Sequence, residues 1–94
     1  MANIRNESTD RLFEVFMKLE NLDECYDFFA DLCTIKELQD MAQRLDIAIA
    51  LDEGKNYQTI TKELGVSAAT IGRVSRCLNY GSGGYKEILK KIEK

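Results

Sequence analysis

Residues Tyr57–Gly81 read YQTITKELGVSAATIGRVSRCLNYG, two short helical patterns flanking Gly65-Val66-Ser67. In the first pattern Ile60 and Leu64 lie four apart and share one helix face. Gly65 suits the left-handed conformation that ends a helix, Val66 suits the gap between two helices, and Ser67 offers an oxygen to cap the second. Ile71, Val74 and Leu78 recur at three and four and give that second helix an apolar stripe. Its opposite face carries Ala68, Ala69, Gly72, Arg73 and Arg76, small at the start and basic further on. This is the layout of a helix-turn-helix whose second helix suits a DNA major groove. A plain structural helical hairpin is the bland alternative.

The charge distribution supports the first reading. The chain of 94 residues sums to −3, which is unpromising for a nucleic-acid binder. Met1–Gly54 holds five basic and thirteen acidic residues, a balance of −8, whereas Lys55–Lys94 holds eight basic and three acidic, a balance of +5. The helix-turn-helix lies in the basic part. Binding to phosphates depends on local positive charge facing them, not on a positive total. The acidic part would discourage wrong docking modes.

Composition excludes other classes. The length suits one domain, residues 1–94, and the absence of Pro lets most of it be helical. No apolar run is long enough to span a bilayer, and MANIRNESTD lacks the apolar core of a secretory signal, so a cytoplasmic protein with no membrane partner is expected. Cys25, Cys33 and Cys77 are odd in number, show no C-x-x-C spacing and have no His to accompany them. They read as reduced, mostly buried thiols and not as a metal site. An enzyme is not expected, because a catalytic Cys or Ser would lack the commonest base and the carboxylates are scattered along helices among lysines.

The rest of the chain reads as helices around this head. Met1–Ser8 is polar and expected to fray. A first helix should start near Thr9 and carry Leu12, Phe13, Val15, Phe16 and Leu19. Asn21 or Asp23 should cap a second, with Leu22, Cys25, Tyr26, Phe28, Phe29 and Leu32 apolar on more than one side. All four Phe fall in this part, residues 8–33, which reads as a dimerisation layer. Packing on the chain's own helices is the alternative. Thr34-Ile35-Lys36-Glu37 has the form of a capping box, so a long central helix should occupy residues 34–53 and carry Arg44 among apolar neighbours. The helix-turn-helix takes residues 57–79. A Gly-Ser joint follows, and then a last helix over residues 85–93, with Tyr85, Ile88, Leu89 and Ile92 on one side.

With these residues in place, Thr34–Lys94 resembles the Trp repressor family, and more closely its YerC/YecD-type relatives. The shared frame is T-I-K-E opening a long helix, Arg44 within it, then K-E-L-G, A-T-I, Arg73 and Ser75. The N-terminal third matches in pattern only. The resemblance implies an all-α fold of about six helices, an intertwined homodimer presenting two helix-turn-helix heads. It also implies a corepressor pocket in which Thr34 helps hold an amino acid's carboxylate and the indole stacks between Arg44 and Arg73, as guanidinium planes favour. Two departures stand out. Val74 takes the place of a glycine at the pocket edge, and Cys77 that of a serine meeting the ligand's amino group. A bulkier Val narrows the pocket and a thiol is a weaker partner. The expected effector is therefore an amino-acid-like molecule other than tryptophan, or none, and no cofactor is expected.

For double-stranded DNA, Gln58 and Thr59 would touch phosphates, and Ser67, Ala68, Ala69, Thr70 and Gly72 would approach bases. Arg76 would reach backbone or a guanine edge. Gly72 either permits close approach or leaves the head mobile until DNA binds. Arg73 is open between effector and phosphate. The expectation is a bacterial-type transcription regulator, a repressor by resemblance, binding a near-palindromic site through two heads about 34 Å apart. The competing class is a helical protein-interaction module without specific DNA binding.

Overall fold

The computed structural model describes residues 4–92, with six α-helices and no strand among them. They are α1 (Glu7–Phe16), α2 (Leu22–Leu32), α3 (Ile35–Asp52), α4 (Tyr57–Leu64), α5 (Ala68–Tyr80) and α6 (Gly84–Ile92). The chain divides into two compact units, one ending at Leu38 and the other beginning at Gln39.

In the first unit α1 starts two residues earlier than expected. Asn6 is the reason: its Oδ1 accepts from the Thr9 N–H at 2.8 Å, satisfying a first-turn donor. Glu7 and Asp10 in that turn complement the helix dipole. The helix also ends at Phe16, so Leu19 lies beyond it. Met1–Asn3, expected to fray, lie outside the described residues. Asn21, one of two candidates, caps α2 by accepting from the Glu24 N–H at 2.9 Å. The side chain of Glu24 reaches back to the Glu20 N–H, also at 2.9 Å.

Rings from α1 and α2 meet in an aromatic cluster. Phe16 lies 5.0 Å from Phe29 and 6.0 Å edge-on from Phe28, and Phe13 lies 5.7 Å from Phe16. Yet neither helix holds one buried residue. Tyr26 is 64% exposed and Leu22 is 70% exposed. The apolar side chains of this unit cover one another only in part, leaving Phe16, Phe28 and Phe29 half-buried.

The capping box at Thr34 forms as expected. The Glu37 N–H donates to Thr34 Oγ1 at 3.1 Å, and the Thr34 N–H donates to Glu37 Oε1 at 2.9 Å. It opens an 18-residue α3.

The second unit owns the core. Ile47, Ala48 and Ala50 of α3 pack with Ile60 of α4, Val66 of the turn, and Ile71 and Val74 of α5, with Leu51, Leu64 and Tyr85 against them. Burying each of the large aliphatic side chains is worth about 2 kcal/mol. Leu89 of α6 is buried as well, and α6 packs on α5. Helix α6 starts at Gly84, one residue before the expected position; Glu93, its expected last residue, lies outside the described residues. The C-cap of α5 requires glycine at Gly81, since a Cβ there would run into the Cys77 carbonyl oxygen. The expected burial of the thiols is wrong. Cys25 and Cys33 are half-buried and Cys77 is exposed, all three unbridged.

Candidate nucleic-acid interface

The head is built from its turn outward. Asn56 Oδ1 accepts from the Thr59 N–H at 2.8 Å and starts α4. Gly65 ends it at φ 66°, the left-handed conformation that a side chain would strain. Val66 then turns inward to the core. Ser67 caps α5, its Oγ accepting from the Thr70 N–H at 3.1 Å and lying 3.0 Å from Thr70 Oγ1. One apolar residue and two caps therefore set the angle between α4 and α5.

That angle gives α5 two distinct faces. Ile71 and Val74 point into the core. Ala69, Gly72, Arg73 and Arg76 stand at i, i+3, i+4 and i+7, which places them on one outward line. Ala68, Ala69, Arg73 and Arg76 are exposed, and Gly72 is half-buried. No acidic residue lies on α5. Among the described residues neither the Arg73 nor the Arg76 side chain has a hydrogen bond or ion pair. Both guanidiniums keep all their donors available, and Arg is well shaped for phosphate or a guanine edge.

An ion-pair cluster forms at the base of α4. Glu63 accepts from Lys55 Nζ at 2.9 Å, with Glu53 at 3.8 Å from the same nitrogen. The hydrogen bond and charge of Glu63 raise the Lys55 ammonium above its ordinary 10.5. This cluster also bridges the α3–α4 connection to α4.

Of the residues expected at DNA, Gln58 is exposed, while Thr59 is half-buried with its N–H already used by Asn56. Ser67 and Thr70 are engaged with each other at the start of α5. The structure adds Tyr57 at the start of α4, whose hydroxyl lies beside Gly72 of the reading line. Its adjacency to Gln58 was visible in the chain, but its reach across to α5 was not.

The residues expected at an effector are distributed as follows. Thr34 lies in the first unit as the cap of α3. Arg44, Arg73 and Cys77 lie in the second, all exposed. Arg44 is turned back along its own helix, Nε donating to the Asp40 carbonyl at 3.3 Å. Arg73 and Cys77 are four apart on one flank of α5. Among the described residues no group of three or more Cys, Asp or Glu could hold a metal ion, and no helix is long and apolar enough to cross a membrane.

Comparison with known proteins matches this arrangement. The family model for the Trp repressor protein aligns with residues 7–93. YerC of Bacillus subtilis (strain 168), an uncharacterised protein, is 49% identical over 90 residues, covering 96% of this chain and 86% of that one. A crystal structure of a candidate Trp repressor from Staphylococcus aureus superposes with a TM-score of 0.90 at 45% identity, over 95% of this chain and 89% of that chain. A TrpR-like protein from Eubacterium eligens ATCC 27750 gives a TM-score of 0.91 at 40% identity over 97% of each. Outward arginines on a capped second helix, a T-x-x-E start to the long helix and these matches agree: the chain belongs to the Trp repressor family, among its YerC/YecD-type members.

Proposed function

We propose that this protein is a cytoplasmic, homodimeric regulator of transcription that reads a twofold-symmetric DNA site with α5. The family is one of regulatory, non-enzymatic proteins. The observation that carries the reading is the outward line of Ala69, Gly72, Arg73 and Arg76, small where a groove must be entered and cationic beyond, with neither arginine paired. Alanines offer methyl contacts to thymine and leave room for bridging water, and the arginines supply counterion release. Repression is the sign of regulation taken from the name of the Staphylococcus aureus relative.

The dimer rests on the first unit. Helices α1 and α2 gather four Phe and bury no residue. A helix pair with so much uncovered apolar surface is stable when a second copy covers it. Two copies then present two α5 helices to successive major grooves.

Selection of bound duplexes from a random pool, repeated at rising salt, tests this. Enrichment of a twofold-symmetric site, with affinity falling steeply as salt rises, is the expected result. Salt-sensitive binding without an enriched site would reduce the reading to nonspecific DNA binding. No binding at low salt would move the function to a protein-interaction module.

A further inference from the structure

Tyr57 opens α4 and is 40% exposed. Its side chain reaches from that helix to α5, where the hydroxyl lies 4.0 Å from the point a Gly72 Cβ would occupy. Among the described residues this hydroxyl has no hydrogen-bond partner. A phenol O–H both donates and accepts, and here its own chain uses neither capacity. Gly72 supplies the other half of the arrangement. With no side chain it leaves the surface of α5 open beside the hydroxyl, and an acceptor about 2.8 Å from the Tyr57 oxygen fits that opening.

The positions of the two residues decide which acceptor this is. In a helix-turn-helix the first helix crosses the sugar-phosphate backbone, and bases meet the N-terminal residues of the second. Tyr57 belongs to the first helix, and Gly72 stands one turn beyond Ala68 and Ala69 of the second. The first turns of α4 and α5 hold no acidic residue, so no carboxylate there repels a phosphate. Thr59, two residues on, is half-buried, whereas Tyr57 is exposed on the same opening turn.

We infer that Tyr57 is a DNA-contacting residue: its hydroxyl donates to a phosphate oxygen lying over Gly72, so that α4 and α5 hold one phosphate together. This rests on the DNA-binding reading. The contact is neutral, so it fixes how α5 sits on the duplex without adding a cation.

Tyr57→Phe removes the hydroxyl and keeps the ring. Titrated with the duplex enriched by selection and with a random duplex, the full-length variant should lose about tenfold in affinity for both. The salt slope should stay at the wild-type value, because no cation has been removed, whereas loss of an arginine at a phosphate lowers it by about one. The melting temperature should not change, since the hydroxyl bonds nothing in the chain. Wild-type affinity in this variant would overturn the proposal. So would a loss confined to one base-pair position, which would mark a base contact, or a lowered melting temperature, which would give the hydroxyl a role in the fold.

Gly72→Ala and the double variant complete the test. If one phosphate is shared, the double variant should lose less affinity than the product of the two single losses. Losses that multiply would show two separate contacts and defeat the shared one. A wild-type protein that binds neither duplex at low salt would defeat the DNA-binding reading itself, whereas wild-type binding with no effect of Tyr57→Phe would defeat the assignment of Tyr57 alone.

Discussion

The Tyr57 hydroxyl of α4 lies 4.0 Å from the point a Cβ on Gly72 of α5 would occupy, and beyond the adjoining backbone of α5 nothing comes closer. The chain's own packing therefore does not require glycine there. Gly72→Ala should stabilise the folded protein by about 1 kcal/mol, the usual helix preference for Ala over Gly. If Gly72 lets the helix backbone approach DNA, the same variant should bind duplex more weakly, so that stability and affinity move in opposite directions. Thermal melting and duplex titration on one preparation check this. Raised stability with unchanged affinity would show that close approach is not its role.

Arg76 stands at the basic end of the same line, exposed and without a partner among the described residues. Arg76→Ala should cost about 1–3 kcal/mol of binding if it reads a guanine, with relaxed preference at one position. If it touches a phosphate, affinity should fall evenly across sequences and the salt slope should drop by about one. Sedimentation should show the assembly unchanged in either case. Wild-type affinity would take Arg76 out of the interface.

Phe16 is the ring shared by the aromatic cluster, meeting Phe13, Phe28 and Phe29. Its removal deletes all three ring contacts, and Phe16→Ala should cost about 2–4 kcal/mol. In a dimer held by this layer, the melting temperature should depend on protein concentration and the variant should dissociate at higher concentration than wild type. A melting temperature independent of concentration in both proteins would sink the dimerisation role.

Lys55 predicts a pH dependence. Its pKa is raised above the ordinary 10.5 mainly by the hydrogen bond from its ammonium to Glu63. A raised pKa in the folded state means that the contribution is fully present below the unfolded value and lost as pH rises through the folded one. The stability gap between wild type and Lys55→Gln should therefore hold steady from neutral pH toward 10.5 and close above it. Thermal melts across the alkaline range would show it. The effect should be small, because exposed ion pairs contribute little.

Much of this protein was legible in local chemistry. The Gly65-Val66-Ser67 turn, the Thr34–Glu37 capping box and the Ile71/Val74 stripe each depend on residues within one or two helical turns, and each forms as read. The start of α1 was misread, and the cap of α4 was unnoticed, although the signal was present. Asn6 and Asn56 each stand three residues before the N–H they cap, and Asn is among the strongest N-caps.

Exposure and reach were decided by tertiary structure. Periodicity assigns a residue to a face but does not say whether another element covers that face. Cys77 stays open while Val74, three residues earlier, is sealed against α3 and α4. Likewise, that the Tyr57 hydroxyl comes beside Gly72, or that Lys55 pairs with Glu63 eight residues on, depends on distances between elements. The sequence by itself determined the helices, their caps and the alternation of apolar and basic faces, because those arise from short-range hydrogen bonds and a fixed helical period. Only the tertiary structure decided which space Val74 fills and which arginines remain unpaired, because those follow from the packing of segments far apart in the chain.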